Sequence, residues 1–183
     1  MKLRSLFSTL AFALLSAACF AADKRIPMDT GETFIIRWGA DWEVGATLPK
    51  SLFGTVTIHG ADSNLWRLTF APLPPHPTLT ADTGNLRMYV RAMARGLDMA
   101  GAQVDEEHHA ISGPQSRGFY FTVRDTRKKT KARIEEDGGD YTHAWVGALS
   151  LSSRAYLFEV AWIEGSEAAA KAALAAVKTA RVQ

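Results

Sequence analysis

Cysteine is nearly missing from this chain: among its 183 residues there is one, Cys19. A single thiol excludes an internal disulfide framework and a thiolate metal site as supports of the fold. Long apolar runs are missing too, apart from the opening segment MKLRSLFSTLAFALLSAACFAADKR. There Lys2 and Arg4 precede an uncharged stretch from Ser5 to Ala22. Its strongly apolar part, Leu6 to Ala18, is well short of the roughly 20 residues that a membrane-spanning helix needs. The pattern is that of a secretory signal. It predicts residues 1–22 as signal peptide and 23–183 as a single α+β domain, periplasmic or secreted. Charge of one sign is missing once the signal is removed, because the 21 Lys and Arg fall to 19 against 19 Asp and Glu. A near-neutral chain gives no electrostatic ground for nucleic acid or an anionic membrane as partner.

Cys19 opens two readings of the signal's end. Cleavage after Ala21 puts the small residues Cys19 and Ala21 at the A-x-A positions. Alternatively, LLSAAC resembles a bacterial lipobox, which would make a lipidated Cys19 the new N-terminus and hold the domain at a membrane. Ser16 stands where a lipobox has Leu, and Leu15 is one place early, so ordinary cleavage is preferred.

Proline is scarce and concentrated: four of the seven are Pro72, Pro74, Pro75 and Pro77. They exclude helix and central strand there and predict a stiff crossing loop. Pro72 and Pro75 have PxxP spacing but lack the flanking basic residues of a polyproline ligand.

What is present is patterning. TFIIRW (33–38), GTVTIHG (54–60) and LWRLTF (65–70) read as strands. In the last, Trp66, Leu68 and Phe70 form a buried face, and Arg67 and Thr69 a face at least partly wet. Leu86, Tyr89, Val90, Met93, Leu97 and Ala100 recur at helical spacing, predicting an amphipathic helix from Asp82 or Thr83 to Gly101, with Met93 and Met99 as core filling. GFYFTVRD (118–125), THAWVGALSLSS and AYLFEVAWIEG follow as strands, the last two joined by a hairpin at Ser152-Ser153-Arg154. Ser166 is the expected cap of a closing Ala-rich helix, SEAAAKAALAAVKTARV, with Ala170, Leu174, Val177 and Ala180 as its seam. Strands, helix, strands, helix give α+β: an antiparallel sheet with helices packed on it.

The chemistry-bearing stretches are weak. In VDEEHHAIS an extended backbone points His108 and His109 to opposite faces, and a helical one pairs Glu106 with His109 but supplies no second Glu-x-x-His copy for a di-iron site. His59, His109 and His143 have no spacing that predicts a shared zinc. GPQSRG (113–118) departs from the nucleophile elbow by one position and precedes a strand, so it reads as a turn into Phe119. RDTRKKTKAR (124–133) is followed at once by Glu135, Glu136, Asp137 and Asp140, and reads as a long polar hairpin loop, with a docking surface for an acidic partner as the lesser reading.

A helix ending near AGAQVDEE, then ISGPQSRGFYFTVRD, a charged loop, two aromatic strands and an Ala-rich helix resemble the PsbP-like fold group. The resemblance extends to small exported proteobacterial proteins with a G-[FY]-Y-F-x-x-x-D strand, matched here by Gly118, Phe119, Tyr120, Phe121 and Asp125. It implies a PsbP-like α/β/α sandwich around an antiparallel sheet and carries over no catalytic motif.

The expectation is an exported non-catalytic binding or accessory domain, acting on a protein or small-molecule ligand. No catalytic, cofactor-binding or metal-binding residue is assigned, no cofactor is expected, and a membrane is a partner only if Cys19 is lipidated. The alternatives are a small metal-dependent or serine hydrolase and an immunity-type inhibitor of a secreted toxin. Two or more of His59, His108, His109 and His143 with an acid in one cleft would favour the enzyme. Intact mass of the exported protein checks the signal: a chain starting at Ala22 or Asp23 is expected, and one starting at Cys19 with added acyl mass would establish the anchored form.

Overall fold

Residues 20–28, 31–45, 55–74, 83–105, 107–125, 139–152 and 154–183 are described by the computed structural model. The first half supplies strands β1 (Phe20–Pro27), β2 (Thr33–Gly39), β3 (Trp42–Val44), β4 (Val56–Gly60) and β5 (Trp66–Pro72), followed by helix α1 (Thr83–Met99). The second half supplies β6 (Gln103–Val104), β7 (His109–Ser112), β8 (Ser116–Arg124), β9 (His143–Leu151), β10 (Arg154–Trp162), α2 (Glu167–Val177) and β11 (Arg181–Val182).

Strands β3-β4-β5-β10-β9-β8-β6 form one sheet in that order, with β7 added to β8 beside β6, and every pairing is antiparallel. Its two faces are covered by different helices because alternate residues of each strand point opposite ways. Leu86, Val90 and Ala94 of α1 are buried with Phe121, Val123, Ala148 and Ala155. On the other face Ala170, Ala173, Ala176 and Val177 of α2 join Leu68, Phe70, Phe158 and Val160. The small sheet β1-β2-β11 closes over this second face through Phe34 and Ile36. Burial of each large apolar side chain contributes about 1.5–3 kcal/mol. The Glu32 carboxylate fastens the start of β2 to β10, accepting from Arg154 at 2.9 Å and from the Tyr156 hydroxyl at 3.1 Å. Burial first, and then the Glu32 charge, pushes the Tyr156 phenol up to about 12.

Strand β1 carries one extra residue relative to β2: Phe20 faces Gly39 and Asp23 faces Arg37, so Ala21 and Ala22 sit at a bulge. The Arg181 guanidinium meets Asp23 at 2.6 Å and holds its carboxyl below the usual range.

The structure corrects several expectations. The closing helix ends at Val177 rather than running on through Val182, since Thr179 accepts the Arg37 N–H at 2.9 Å and Arg181 and Val182 pair with Ile35 and Phe34. Helix propensity of the alanines does not extend past this tertiary pairing. Ser166 occupies the cap position but its side chain makes no capping bond; the Glu167 carboxylate accepts the Gly165 N–H at 3.1 Å instead. Met93 packs on the core, whereas Met99 is 88% exposed, because the helical period places it with Met88 on the solvent side. Arg67 lies on the α1 face of β5 but is only 8% exposed, paired with Glu159 at 3.3 Å and set over the Tyr141 ring. Strand β5 extends to Pro72, tolerated there because β4 pairs no farther than Phe70. The hairpin turning at Ser152 is as expected, with Arg154 facing Leu151.

Strands β8 and β9 approach each other closely at two glycines. A Cβ at Gly118 would run into the Ala148 carbonyl, and one at Gly147 into the Phe119 carbonyl and the Phe158 ring. Backbone cannot yield as a side chain can, so Gly118→Ala and Gly147→Ala are each expected to cost at least about 1–3 kcal/mol. Thermal unfolding should show a fall of several degrees; a midpoint within a degree of the parent would mean the two strands spread freely.

Candidate functional site

The chain has five tryptophans, Trp38, Trp42, Trp66, Trp145 and Trp162, and all lie on or against the α2-side core. Trp38 meets Trp42 at 6.0 Å between ring centres, and Trp42 meets Trp66 at 5.1 Å. Trp66 faces Trp162 across the β5–β10 pairing, and Trp162 meets Trp145 at 4.3 Å. The row continues from Trp145 to Tyr120 at 6.3 Å and from Tyr120 to His109 at 5.0 Å, while His143 stacks on Trp162 at 5.5 Å with the planes 21° apart. It is a product of register, since aromatic residues at alternate positions of β7, β8, β9, β10 and β5 all point to one face.

Helix α2 packs on β10, β5 and β2, and Trp66 and Trp162 beneath are buried. Toward β7, β8 and β9 the row is open: His109, Tyr120, Trp145 and His143 are half-buried, with Thr122 between them. Charged groups edge this opening. Glu107 approaches His109 at 3.8 Å, Arg124 is exposed on β8, and Glu167 at the start of α2 is drawn down in pKa mainly by backbone N–H groups and less by His143. The rings line a half-buried apolar surface with hydrogen-bonding groups at its rim, an arrangement suited to stacking.

The histidines are dispersed. His109 opens β7, and His108 before it turns to the other face beside Phe121, at 6.0 Å, as extended geometry dictates. Glu106 lies outside the described residues. His59 sits on β4 with its Nδ1 at 2.7 Å from the Gly60 carbonyl. His109 pairs with Tyr120 and His143 with Arg124, positions about 13 Å apart along β8, so those two share a surface but not a ligand. Among the described residues no three His, Cys, Asp or Glu side chains are grouped to hold a metal. Ser116 is fully buried and its hydroxyl donates to the Lys178 carbonyl at 2.9 Å. The stretch GPQSRG is thus a β7–β8 hairpin clasped to the end of α2, with the strand beginning at Ser116. Most of the charged segment, 126–138, lies outside the described residues.

The sequence reading placed Tyr120, Trp145 and Trp162 on three strands but did not assemble the row. The available signal was the placement of Tyr120, Trp145 and Trp162 at alternating positions of three successive strands.

No protein-family model matches the sequence, and no curated protein matches it. In structure the chain is similar to cyanobacterial PsbP (CyanoP) from Synechocystis sp. PCC 6803, with a TM-score of 0.53 and 12% identity. The match covers 91% of this chain and 95% of that one. The fold is therefore α+β and PsbP-like, as the sequence resemblance implied.

Burial, and then the negative charge of Glu107, raises the Tyr120 phenol above its ordinary value. A raised folded value means that its contribution to stability is complete below about pH 10 and is lost as pH rises through the folded pKa. Ultraviolet titration should place Tyr120 above the ordinary tyrosine range, with Glu107→Gln bringing it partway back. An ordinary titration unmoved by that substitution would separate Tyr120 from Glu107.

Proposed function

We propose that this protein is an exported, non-catalytic binding domain that holds a small molecule carrying a flat ring against the open end of the aromatic row. One observation carries the reading: His109, Tyr120 and Trp145 present half-buried rings already fixed by cross-strand packing. Rings held in place before the ligand arrives lose little side-chain freedom on binding, so more of the contact energy appears as affinity. The hydrogen-bonding and charged rim of Glu107, Thr122 and His143 would select for polar groups at the ligand's edge. Export rests on the signal-like first 22 residues. Fold likeness carries no chemistry by itself, so the reading rests on the row.

Titration of isotope-labelled protein with monosaccharides and with hydroxylated aromatic compounds tests it. Shifts should concentrate at the Trp145 indole N–H, Tyr120 and His109, and Trp145→Ala should abolish them while the rest of the spectrum is kept. Shifts confined to other parts of the fold, or turnover of an ester or peptide by the purified protein, would defeat the reading.

A further inference from the structure

On the opposite face of the large sheet, α1 and the β6–β7 edge enclose a half-open groove of about 320 Å³, lined by Arg91, Ala94, Arg95, Asp98, Val104 and His108. We propose that this groove binds a small acidic amino acid, a ligand with two carboxylates and one ammonium. The site is separate from the aromatic row and does not rest on it.

Arg91 and Arg95 are four residues apart on α1, so their side chains are neighbours, with about 5–6 Å between Cβ atoms. Like charges at this spacing destabilise a helix, and among the described residues neither guanidinium has an ion-pair partner. Arg87, one turn earlier, differs: it lies over the Phe119 ring at 5.7 Å. Two unpaired guanidinium forks side by side are the geometry that accepts two planar carboxylates, each held through paired N–H donors. Asp98 lies in the same groove and also lacks a charged partner among the described residues, which supplies the acceptor for an ammonium. Ala94 and Val104 give an apolar floor for a short aliphatic chain, and His108, packed near Phe121, forms part of the wall. Arg91, Arg95 and Asp98 together carry a net charge of plus one, matching the net minus one of an acidic amino acid. The volume sits at the small end of ligand sites.

The test is titration with glutamate, glutarate and inorganic phosphate at fixed ionic strength, followed by calorimetry and by the Arg side-chain N–H resonances. Glutamate should bind saturably and at least tenfold tighter than glutarate or phosphate, shifting Arg91 and Arg95. Arg91→Gln and Arg95→Gln, both exposed positions that the fold does not need, should each weaken glutamate at least tenfold, and Arg87→Gln should change it less than twofold. Asp98→Asn should erase the preference for glutamate over glutarate. Equal weak responses to all three anions would show only screening of exposed charge and overturn the proposal. So would glutarate binding as tightly as glutamate, or an Arg91→Gln or Arg95→Gln variant with unchanged affinity.

Discussion

Strand β10 has to be covered on both faces and both edges, and the rest of the molecule is arranged around that demand. It pairs with β9 from Arg154 to Trp162 and with β5 from Tyr156 to Trp162, and none of its residues is exposed. Small Ala155 faces α1 while Tyr156, Phe158, Val160 and Trp162 face α2, so the two covering layers meet different surfaces. The bulky side needs more cover than one short helix gives, and the small sheet β1-β2-β11 completes it with Phe34 and Ile36. The slim side is closed by Leu86, Val90 and Ala94 of α1, leaving the outer flank of that helix for its arginines.

Elements whose own residues carry a period were legible in the sequence. The helix α1 shows in the spacing of Leu86, Val90 and Leu97, the β9–β10 hairpin in its alternation and the short Ser152-Ser153-Arg154 link, and the order of elements pointed to an α+β sandwich. Elements made by a distant partner were not. Strand β1, with Lys24 and Arg25, has no apolar alternation of its own and is a strand because β2 lies beside it. The two residues of β11 sit in an alanine-rich context that favours helix, and only Phe34 and Ile35 make them extended. Arg67 looked solvent-facing because its cover, the Tyr141 ring, comes from 74 positions later.

The same distinction divides the two surfaces. Local alternation placed His108 and His109 on opposite sides, and this decided that they could not share a metal. The row from His109 to Trp66 draws on five strands and is invisible until their registers are known. The groove beside α1 was half legible: the helix wheel sets Arg87, Arg91 and Arg95 off the core face, but the opposing wall of Val104 and His108 depends on where β6 and β7 join β8.

The bulge in β1 falls where the signal reading puts its cut, at Ala21 and Ala22. A signal-removing protease needs several residues on each side of the bond between Ala21 and Ala22 stretched out and unpaired. Once β1 has zipped onto β2, that bond is flanked by Phe20 facing Gly39 and Asp23 facing Arg37. If that cut is made, closing the small sheet before it would hide the bond. Were Cys19 instead to carry lipid, the same proximity would leave no slack between acyl chain and strand, and the small sheet would ride directly on the membrane surface.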